Sequence, residues 1–132
     1  MTIFEKIIKG EIPSYKIYED ALVYSFLDAN PHGKGHILVV PKEPFVTLDE
    51  IPDEVLQHMI LVVKNIAKNT KDVLNVSGYN IVMNNGEIAD QAVPHAHIHI
   101  IPRYEENNLY MKHKDLELLP EDFKDLQEKL SF

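Results

Sequence analysis

Histidines alternate with apolar residues in residues 94–101, and this alternation limits the structure that the segment can adopt. Side chains two residues apart lie on the same face of a β-strand, so the segment predicts a strand with two chemically different faces. The apolar face is expected to pack into the core and carries Ala96, Ile98 and Ile100. The opposite face carries His95, His97 and His99.

Three interpretations of the histidine face fit the residues. One is a shared metal ion, although His95 and His99 would lie about 13 Å apart on an extended strand, which is too far for both to bind one ion. A second is that the histidines merely cover a half-exposed sheet. The third is catalysis, in which the middle imidazole, His97, acts as nucleophile or base while its neighbours orient it by hydrogen bonds.

The amino-acid composition excludes several classes of function. The 132 residues contain no cysteine, which excludes disulfides, a cysteine nucleophile and a thiolate metal site. Thirteen Lys and Arg against 21 Asp and Glu give a net charge of -8, which disfavours a nucleic acid polymer as a partner. No apolar run approaches about 18 residues, and the first residues are too charged for a secretory signal. We therefore expect a cytoplasmic protein with no membrane partner.

The periodicity of the sequence predicts an α+β fold with an antiparallel sheet of about five strands. Residues 55–70 repeat apolar side chains at three- and four-residue steps, which indicates one long helix that starts near Pro52. Short helices are predicted over residues 3–9 and from Pro120 onward. Strands are predicted at residues 16–19, 23–27, 36–40, 79–83 and 94–101. We expect one domain over residues 1–132.

The histidine pattern, followed by two apolar residues, resembles the motif of the histidine triad (HIT) superfamily. Other parts of the chain resemble the same family, namely residues 3–13, 18–20, 26–28 and 35–42, together with Pro31, Asn84 and Gln91. The resemblance covers roughly residues 3–103. It is closest to the histidine triad nucleotide-binding proteins and their bacterial relatives. It implies a HIT-like fold and a homodimer whose two sheets join into one.

The resemblance also implies an activity, the hydrolysis of a bond between the α-phosphorus of a nucleotide and a leaving group. In this family the leaving group is an amine in phosphoramidates or a phosphate in dinucleoside polyphosphates. Carried over by position, His97 is the nucleophile that forms a nucleotidyl-histidine, His95 fixes its ring and His99 contacts the phosphate. The implied partner is a purine nucleotide, a derivative of AMP or GMP, and no cofactor is expected.

Further substrate contacts implied by the resemblance surround the three histidines. Asn84 would contact the phosphate or the leaving group, Asp28 would bind the ribose hydroxyls, and Gln91 and Ala92 would lie beside the triad. An apolar slot for the base would be lined by Ile3, Phe4, Ile7 and Phe26. Each also has an ordinary structural interpretation, because Asp28 and Asn84 suit turns and the residues of the first helix suit core packing.

Two departures from the family pattern bear on the activity. Many relatives have glycine and a polar residue such as serine where this chain has Asp90 and Ala92. Ala92 offers only a backbone N–H to a phosphate, and Asp90 adds negative charge. The first hypothesis is a nucleoside phosphoramidate hydrolase, and the alternatives are a dinucleoside polyphosphate hydrolase and a nucleotide-binding module with little turnover.

Some relatives hold zinc with two N-terminal cysteines and two histidines. The matching positions in this chain are Thr2, Glu5, His36 and His95, so we expect no metal site. The chain continues past the resemblance over residues 104–132. This tail, with Tyr110, Met111 and His113 in its middle, is expected to cover the pocket or the dimer partner, or to pack on the sheet as a helix.

Overall fold

The computed structural model describes residues 1–105 and 115–132, and these form three α-helices and one five-stranded antiparallel sheet. The helices are α1 (Ile3–Ile8), α2 (Asp53–Leu74) and α3 (Pro120–Leu130). The strands are β1 (Lys16–Glu19), β2 (Val23–Leu27), β3 (Ile37–Pro41), β4 (Gly78–Met83) and β5 (Ile98–Arg103). They lie in the order β1-β2-β3-β5-β4. The predicted α+β fold is confirmed, and β1 and β4 are the edges of the sheet.

The long helix α2 covers one face of the sheet. Its buried side chains recur at three- and four-residue steps, as predicted, and are Met59, Val62, Val63, Ile66, Ala67 and Thr70. They pack on the central strands, where Val39 and Ile100 are fully buried. Asn75 ends the helix in the left-handed conformation, with a φ of 53°. The main core thus lies between α2 and the sheet, and it includes Ala96 and Ile98, as expected from their alternation with the histidines.

The short helix α1 packs against the other face of the sheet. The Thr2 hydroxyl accepts a hydrogen bond from Glu5 N–H at 3.1 Å, and the Glu5 carboxylate accepts one from Thr2 N–H at 2.9 Å. This reciprocal capping fixes the start of a helix of only six residues. Phe4 and Ile7 point from α1 into a second apolar cluster, which includes Phe26 of β2.

Strand β5 begins at Ile98, which corrects the predicted strand over residues 94–101. Pro94 has no N–H to donate to a neighbouring strand. The next two N–H groups are bonded elsewhere, that of His95 to Val93 O at 2.8 Å and that of Ala96 to Phe45 O at 2.7 Å. The first two histidines therefore lie on an irregular segment that leads into the strand.

Helix α3 confirms the predicted last helix. Its apolar residues Phe123, Leu126 and Leu130 are exposed, so this side of α3 does not pack on the sheet. Tyr104, at the start of the tail, donates its hydroxyl to Lys34 O at 2.8 Å. The residues named above from the middle of the tail, Tyr110, Met111 and His113, lie outside the described residues.

Across residues 1–105 and 115–132, no helix has both the length and the apolar character needed to span a bilayer.

Candidate active site

His95, the first histidine of the triad, is held at both ring nitrogens. Its Nε2 lies 2.8 Å from Pro41 O, and its Nδ1 lies 2.9 Å from the Thr2 hydroxyl. A carbonyl oxygen only accepts hydrogen bonds, so Nε2 carries the ring proton and Nδ1 accepts from Thr2. The side chain is fully buried, and this burial lowers the pKa of His95 below its usual 6.5. His95 is therefore a neutral, fixed ring.

The central histidine, His97, has one nitrogen bonded and the other available. Its Nδ1 lies 2.7 Å from the carbonyl oxygen of His95, which makes Nδ1 the protonated nitrogen. Nε2 then keeps its lone pair, and no side chain or backbone group of the described chain forms a hydrogen bond with it. Burial lowers the pKa of His97, so the ring is neutral at pH 7. A neutral imidazole with a free lone pair is suited to act as a nucleophile.

His99 ends a chain of hydrogen-bonded rings that starts at a backbone amide. The His32 N–H donates to Nδ1 of His36 at 3.0 Å, so His36 carries its proton on Nε2. This Nε2 donates to Nδ1 of His99 at 2.9 Å. Burial, reinforced by the neighbouring histidines, lowers the pKa of His99 to about 4. Neutral His99 therefore carries its proton on Nε2, where it can be donated to an anionic ligand.

Asp28, His36 and His99 together have the composition of a metal site, with ligand atoms within 4.8 Å of one another. Their hydrogen bonds argue against that role. Nδ1 of His36 is already taken by the His32 N–H, so a metal ion on Nε2 would displace the only ring proton. The arrangement therefore fits a hydrogen-bonded chain better than a metal centre.

Of the four positions expected to match a zinc site, His36 lies apart from the other three, which corrects the pairing of His36 with His95. His36 precedes β3 and contacts His99, whereas His95 contacts Thr2 and the carbonyl of Pro41, the last residue of β3. The two histidines therefore lie near opposite ends of β3. A threonine hydroxyl is also not among the usual zinc ligands. The residues present do not fit the zinc site of the relatives.

Three residues predicted to line the base slot, Phe4, Ile7 and Phe26, are buried in one cluster. The Phe4 ring meets the His97 ring edge-on at a centroid distance of 5.0 Å and the Phe26 ring at 5.5 Å. Ile3, on the same helix, is 48% exposed. Core packing is therefore one role of the three buried residues, and it places them beside the triad. Their contact with a base stays a prediction.

Asp28 lies next to the histidines and also shapes the loop that follows β2. Its Oδ1 accepts from the Asn30 N–H at 2.8 Å, which is the turn role anticipated for it. Its Oδ2 lies 3.5 Å from Nε2 of His36. The Asp28 charge also acts to raise the pKa values of His97 and His99, against the larger effect of burial. Asp28 is thus close to the triad, and its contact with ribose stays a prediction.

Asn84 directly follows β4. Met83 ends β4 and pairs with Ile98, the first residue of β5, so Asn84 and His97 are the next residues beyond the paired part of the two strands. The Asn84 side chain is half-buried and has no hydrogen bond to any other residue that the structure describes. Its amide is therefore available to a ligand, as the prediction requires.

Gln91 stabilises the loop before the triad by hydrogen bonds. Its Oε1 accepts from Gly86 N–H at 2.7 Å, and its Nε2 donates to Val46 O at 2.6 Å and to Val93 O at 3.0 Å. Both amide protons are used by these backbone groups. Gln91 is thus placed as a support of the loop, and a direct contact with substrate stays a prediction.

The two positions that depart from the family pattern are exposed. Asp90 adopts a φ of 68°, in the left-handed region that favours glycine, which accounts for the glycine of many relatives at this position. Its side chain is exposed to solvent, as is that of Ala92. The Asp90 carboxylate makes no hydrogen bond within the described chain.

Sequence reasoning missed three groups that support the triad, namely Thr2, His36 and the carbonyl of Pro41. Thr2 carried one signal, the capping-box spacing to Glu5, which marks a helix start but not a contact with a histidine. His36 carried another signal, as a histidine directly before an apolar strand. A backbone carbonyl is common to every residue, so the sequence could not identify Pro41 as the partner of His95.

Comparisons with known proteins show the family to which the chain belongs. Residues 9–106 match the HIT domain family. An uncharacterised HIT-like protein from Methanocaldococcus jannaschii is 54% identical over 105 residues, which cover 80% of this chain and 81% of that protein. An adenosine 5′-monophosphoramidase from Schizosaccharomyces pombe is 42% identical over 130 residues, which cover 98% of this chain and 95% of that protein. The crystal structure of a HIT family member from Bacillus subtilis superposes with a TM-score of 0.90 at 38% identity, covering 98% of this chain and 94% of that one. The chain belongs to the HIT domain family.

Proposed function

We propose that this protein hydrolyses nucleoside phosphoramidates, with AMP joined to an amine as the substrate class. The observation that carries the proposal is the 2.7 Å hydrogen bond between His97 Nδ1 and the His95 carbonyl, because it leaves Nε2 as a neutral nucleophile. Similarity to fungal proteins named adenosine 5′-monophosphoramidase supports an amine as the leaving group. The family and these relatives support the coarser statement, a HIT nucleotide hydrolase.

The proposed reaction consists of two displacements at the α-phosphorus. In the first, the Nε2 lone pair of His97 forms a bond to phosphorus, the bond from phosphorus to the leaving nitrogen breaks, and the amine departs with a proton taken from solvent. In the second, water attacks phosphorus, the bond from phosphorus to Nε2 breaks, and AMP is released while the attacking water returns one proton to solvent. The positive charge on the nucleotidyl-histidine ring is stabilised by the His95 carbonyl, which accepts from Nδ1–H.

The other polar groups are assigned to binding. The Nε2–H of His99 donates to an oxygen of the α-phosphate, and the Asn84 amide contacts the phosphate or the leaving group. The Asp28 carboxylate accepts from the two ribose hydroxyls, which are matched to its two oxygens. The base lies against the apolar residues of α1 and β2, which suit its flat faces. The proposed partner, as the family resemblance implies, is a purine nucleotide, either an AMP or a GMP derivative.

Release of AMP from a lysine–AMP phosphoramidate in metal-free buffer tests this function. A diadenosine polyphosphate is measured beside it, and GMP derivatives of both substrates are added to compare the bases. We expect kcat/KM to be largest for a phosphoramidate. Faster cleavage of the polyphosphate would contradict an amine as the leaving group and would indicate a dinucleoside polyphosphate hydrolase instead. Binding of AMP without turnover of either substrate would make the protein a nucleotide-binding module.

The pH dependence of kcat/KM is expected to have its acidic limb below pH 6.5. Burial lowers the pKa of His97 from that value, so the ring stays neutral to a lower pH than a free imidazole. As the pH falls through this lowered pKa, His97 gains a proton on Nε2 and loses its nucleophilic lone pair. Initial rates of AMP release at limiting substrate, over pH 4 to 9, give the midpoint. A midpoint at 6.5 or above would show that burial does not keep His97 neutral.

We further propose that the chain forms the homodimer that the family resemblance implies, and that its two copies associate through β4. The strand β4 is an edge of the described sheet, and an edge strand presents backbone groups that pair readily with another strand. Its side chains Tyr79 and Ile81 are 41% and 43% exposed. The unaltered protein is expected to have the mass of two chains in light scattering.

The substitution Ile81→Lys places a charge on this edge and is expected to shift the mass toward one chain. The matched control is Ile88→Lys, at a fully exposed position outside β4, which should leave the dimer intact. A single-chain mass for the unaltered protein, or equal effects of the two substitutions, would contradict the proposed interface.

A further inference from the structure

Thr2 occupies the junction between the start of α1 and the first histidine of the triad. Its hydroxyl oxygen accepts from Glu5 N–H at 3.1 Å and lies 2.9 Å from Nδ1 of His95. The two residues are 93 positions apart in the chain, so this contact depends on the tertiary fold. One side chain therefore serves both the cap of α1 and the ring of His95.

The direction of the second bond follows from the surrounding groups. Nε2 of His95 faces the Pro41 carbonyl at 2.8 Å and must be its protonated nitrogen. Nδ1 is then an acceptor, and the Thr2 hydroxyl is its donor. The hydroxyl has a single hydrogen, which goes to His95, while its oxygen still accepts from the Glu5 N–H. The hydroxyl thus acts as a donor to His95 and as an acceptor from Glu5 at the same time.

The fixed ring of His95 affects the orientation of the proposed nucleophile, His97, through the backbone of His95. The backbone carbonyl of His95 accepts from Nδ1 of His97 at 2.7 Å, and this bond sets which nitrogen of His97 is free. Phe4, two residues after Thr2, meets the rings of His95 and His97 edge-on at 5.6 Å and 5.0 Å. The position of α1 and the orientation of both rings are therefore coupled at Thr2.

We propose that Thr2 is a positioning residue for the hydrolysis: its hydroxyl donates to His95 and thereby holds the His95 carbonyl and the His97 ring in the reactive orientation. This inference rests on the proposed function for its kinetic consequence. Thr2 touches neither phosphorus nor the leaving group in this account. Its effect is expected on kcat, because the orientation of His97 matters most when the bond to phosphorus forms.

Three substitutions separate the donor role from the capping role. Thr2→Ser keeps both the cap and the donor. Thr2→Asp keeps a good helix cap but supplies only acceptors to Nδ1 of His95. Thr2→Val removes both functions at nearly constant volume. We expect Thr2→Ser to stay within about threefold of the unaltered protein, and Thr2→Asp and Thr2→Val to lose about 10- to 100-fold in kcat with a smaller change in KM.

Nitrogen-15 NMR of the histidine rings provides a readout that does not require turnover. In the unaltered protein we expect His95 protonated on Nε2 and His97 on Nδ1, with slowly exchanging ring protons. In Thr2→Asp and Thr2→Val, the His95 ring signals should shift and the His97 Nδ1 proton should exchange faster with solvent. Thr2→Ser should restore both signatures.

The outcomes separate this inference from the proposed function. Wild-type kcat and ring signals in Thr2→Asp would overturn the positioning role, whatever the substrate. A loss of kcat confined to Thr2→Val would also overturn it, because the cap alone would then be responsible. If the unaltered protein hydrolyses no phosphoramidate, the proposed function fails, and the NMR comparison still decides whether Thr2 orients the two rings.

Discussion

Replacing His97 by alanine is expected to reduce AMP release from a phosphoramidate by roughly three orders of magnitude or more. The substitution removes a ring that combines a free Nε2 with an Nδ1–H bonded to the His95 carbonyl. Without this nucleophile, water must displace the amine in a single step. Steady-state kinetics with lysine–AMP, in metal-free buffer, measure the loss.

Binding of AMP should survive the same substitution, because the proposed base, ribose and phosphate contacts lie on other residues. Titration calorimetry is expected to give a Kd for AMP within about tenfold of that of the unaltered protein. His58→Ala is the matched control, since His58 lies on α2 and bonds to Asp20 at 2.6 Å, away from the triad. Turnover that persists in His97→Ala would contradict the assignment of the nucleophile.

Replacing Met59 by alanine is expected to lower the free energy of unfolding by about 2–5 kcal/mol. Met59 is fully buried and lies in the core between α2 and the sheet, so its truncation leaves a cavity that the central strands cannot easily fill. Chemical denaturation followed by circular dichroism measures the change.

Leu61→Ala provides the comparison on the same helix. Leu61 is 56% exposed, and alanine is at least as good a helix former, so the change should stay within about 0.5 kcal/mol. Equal destabilisation by the two substitutions would contradict the packing of α2 described above.

The fold was predictable where side-chain periodicity decides the structure. The repeat of apolar residues in α2 and the alternation of Ala96 and Ile98 with the histidines both report which side faces the core. The start of β5 was not predictable in the same way. The Ala96 N–H bonds to Phe45 O, a partner some fifty residues earlier, and no local pattern reveals such a long-range backbone bond.

The candidate site was predictable as a set of residues but not as a network of protons. Sequence spacing brought the triad together, yet it did not reveal that the Thr2 hydroxyl and the Pro41 carbonyl fix the His95 ring. The family resemblance also matched His36 and His95 to one zinc site, whereas His36 precedes β3 and His95 contacts the last residue of that strand. Hydrogen-bond direction follows from donors and acceptors that meet only in the folded chain.

The stereochemical outcome at phosphorus tests the central claim, that hydrolysis passes through His97, most directly. The substrate is an adenosine phosphoramidate made chiral at the α-phosphorus with sulfur, hydrolysed in water enriched in oxygen-18, and the product configuration is read by phosphorus NMR. Two displacements, one by His97 and one by water, invert the centre twice, so we predict net retention. Net inversion would mean that water attacks the substrate directly and would contradict a nucleotidyl-histidine intermediate.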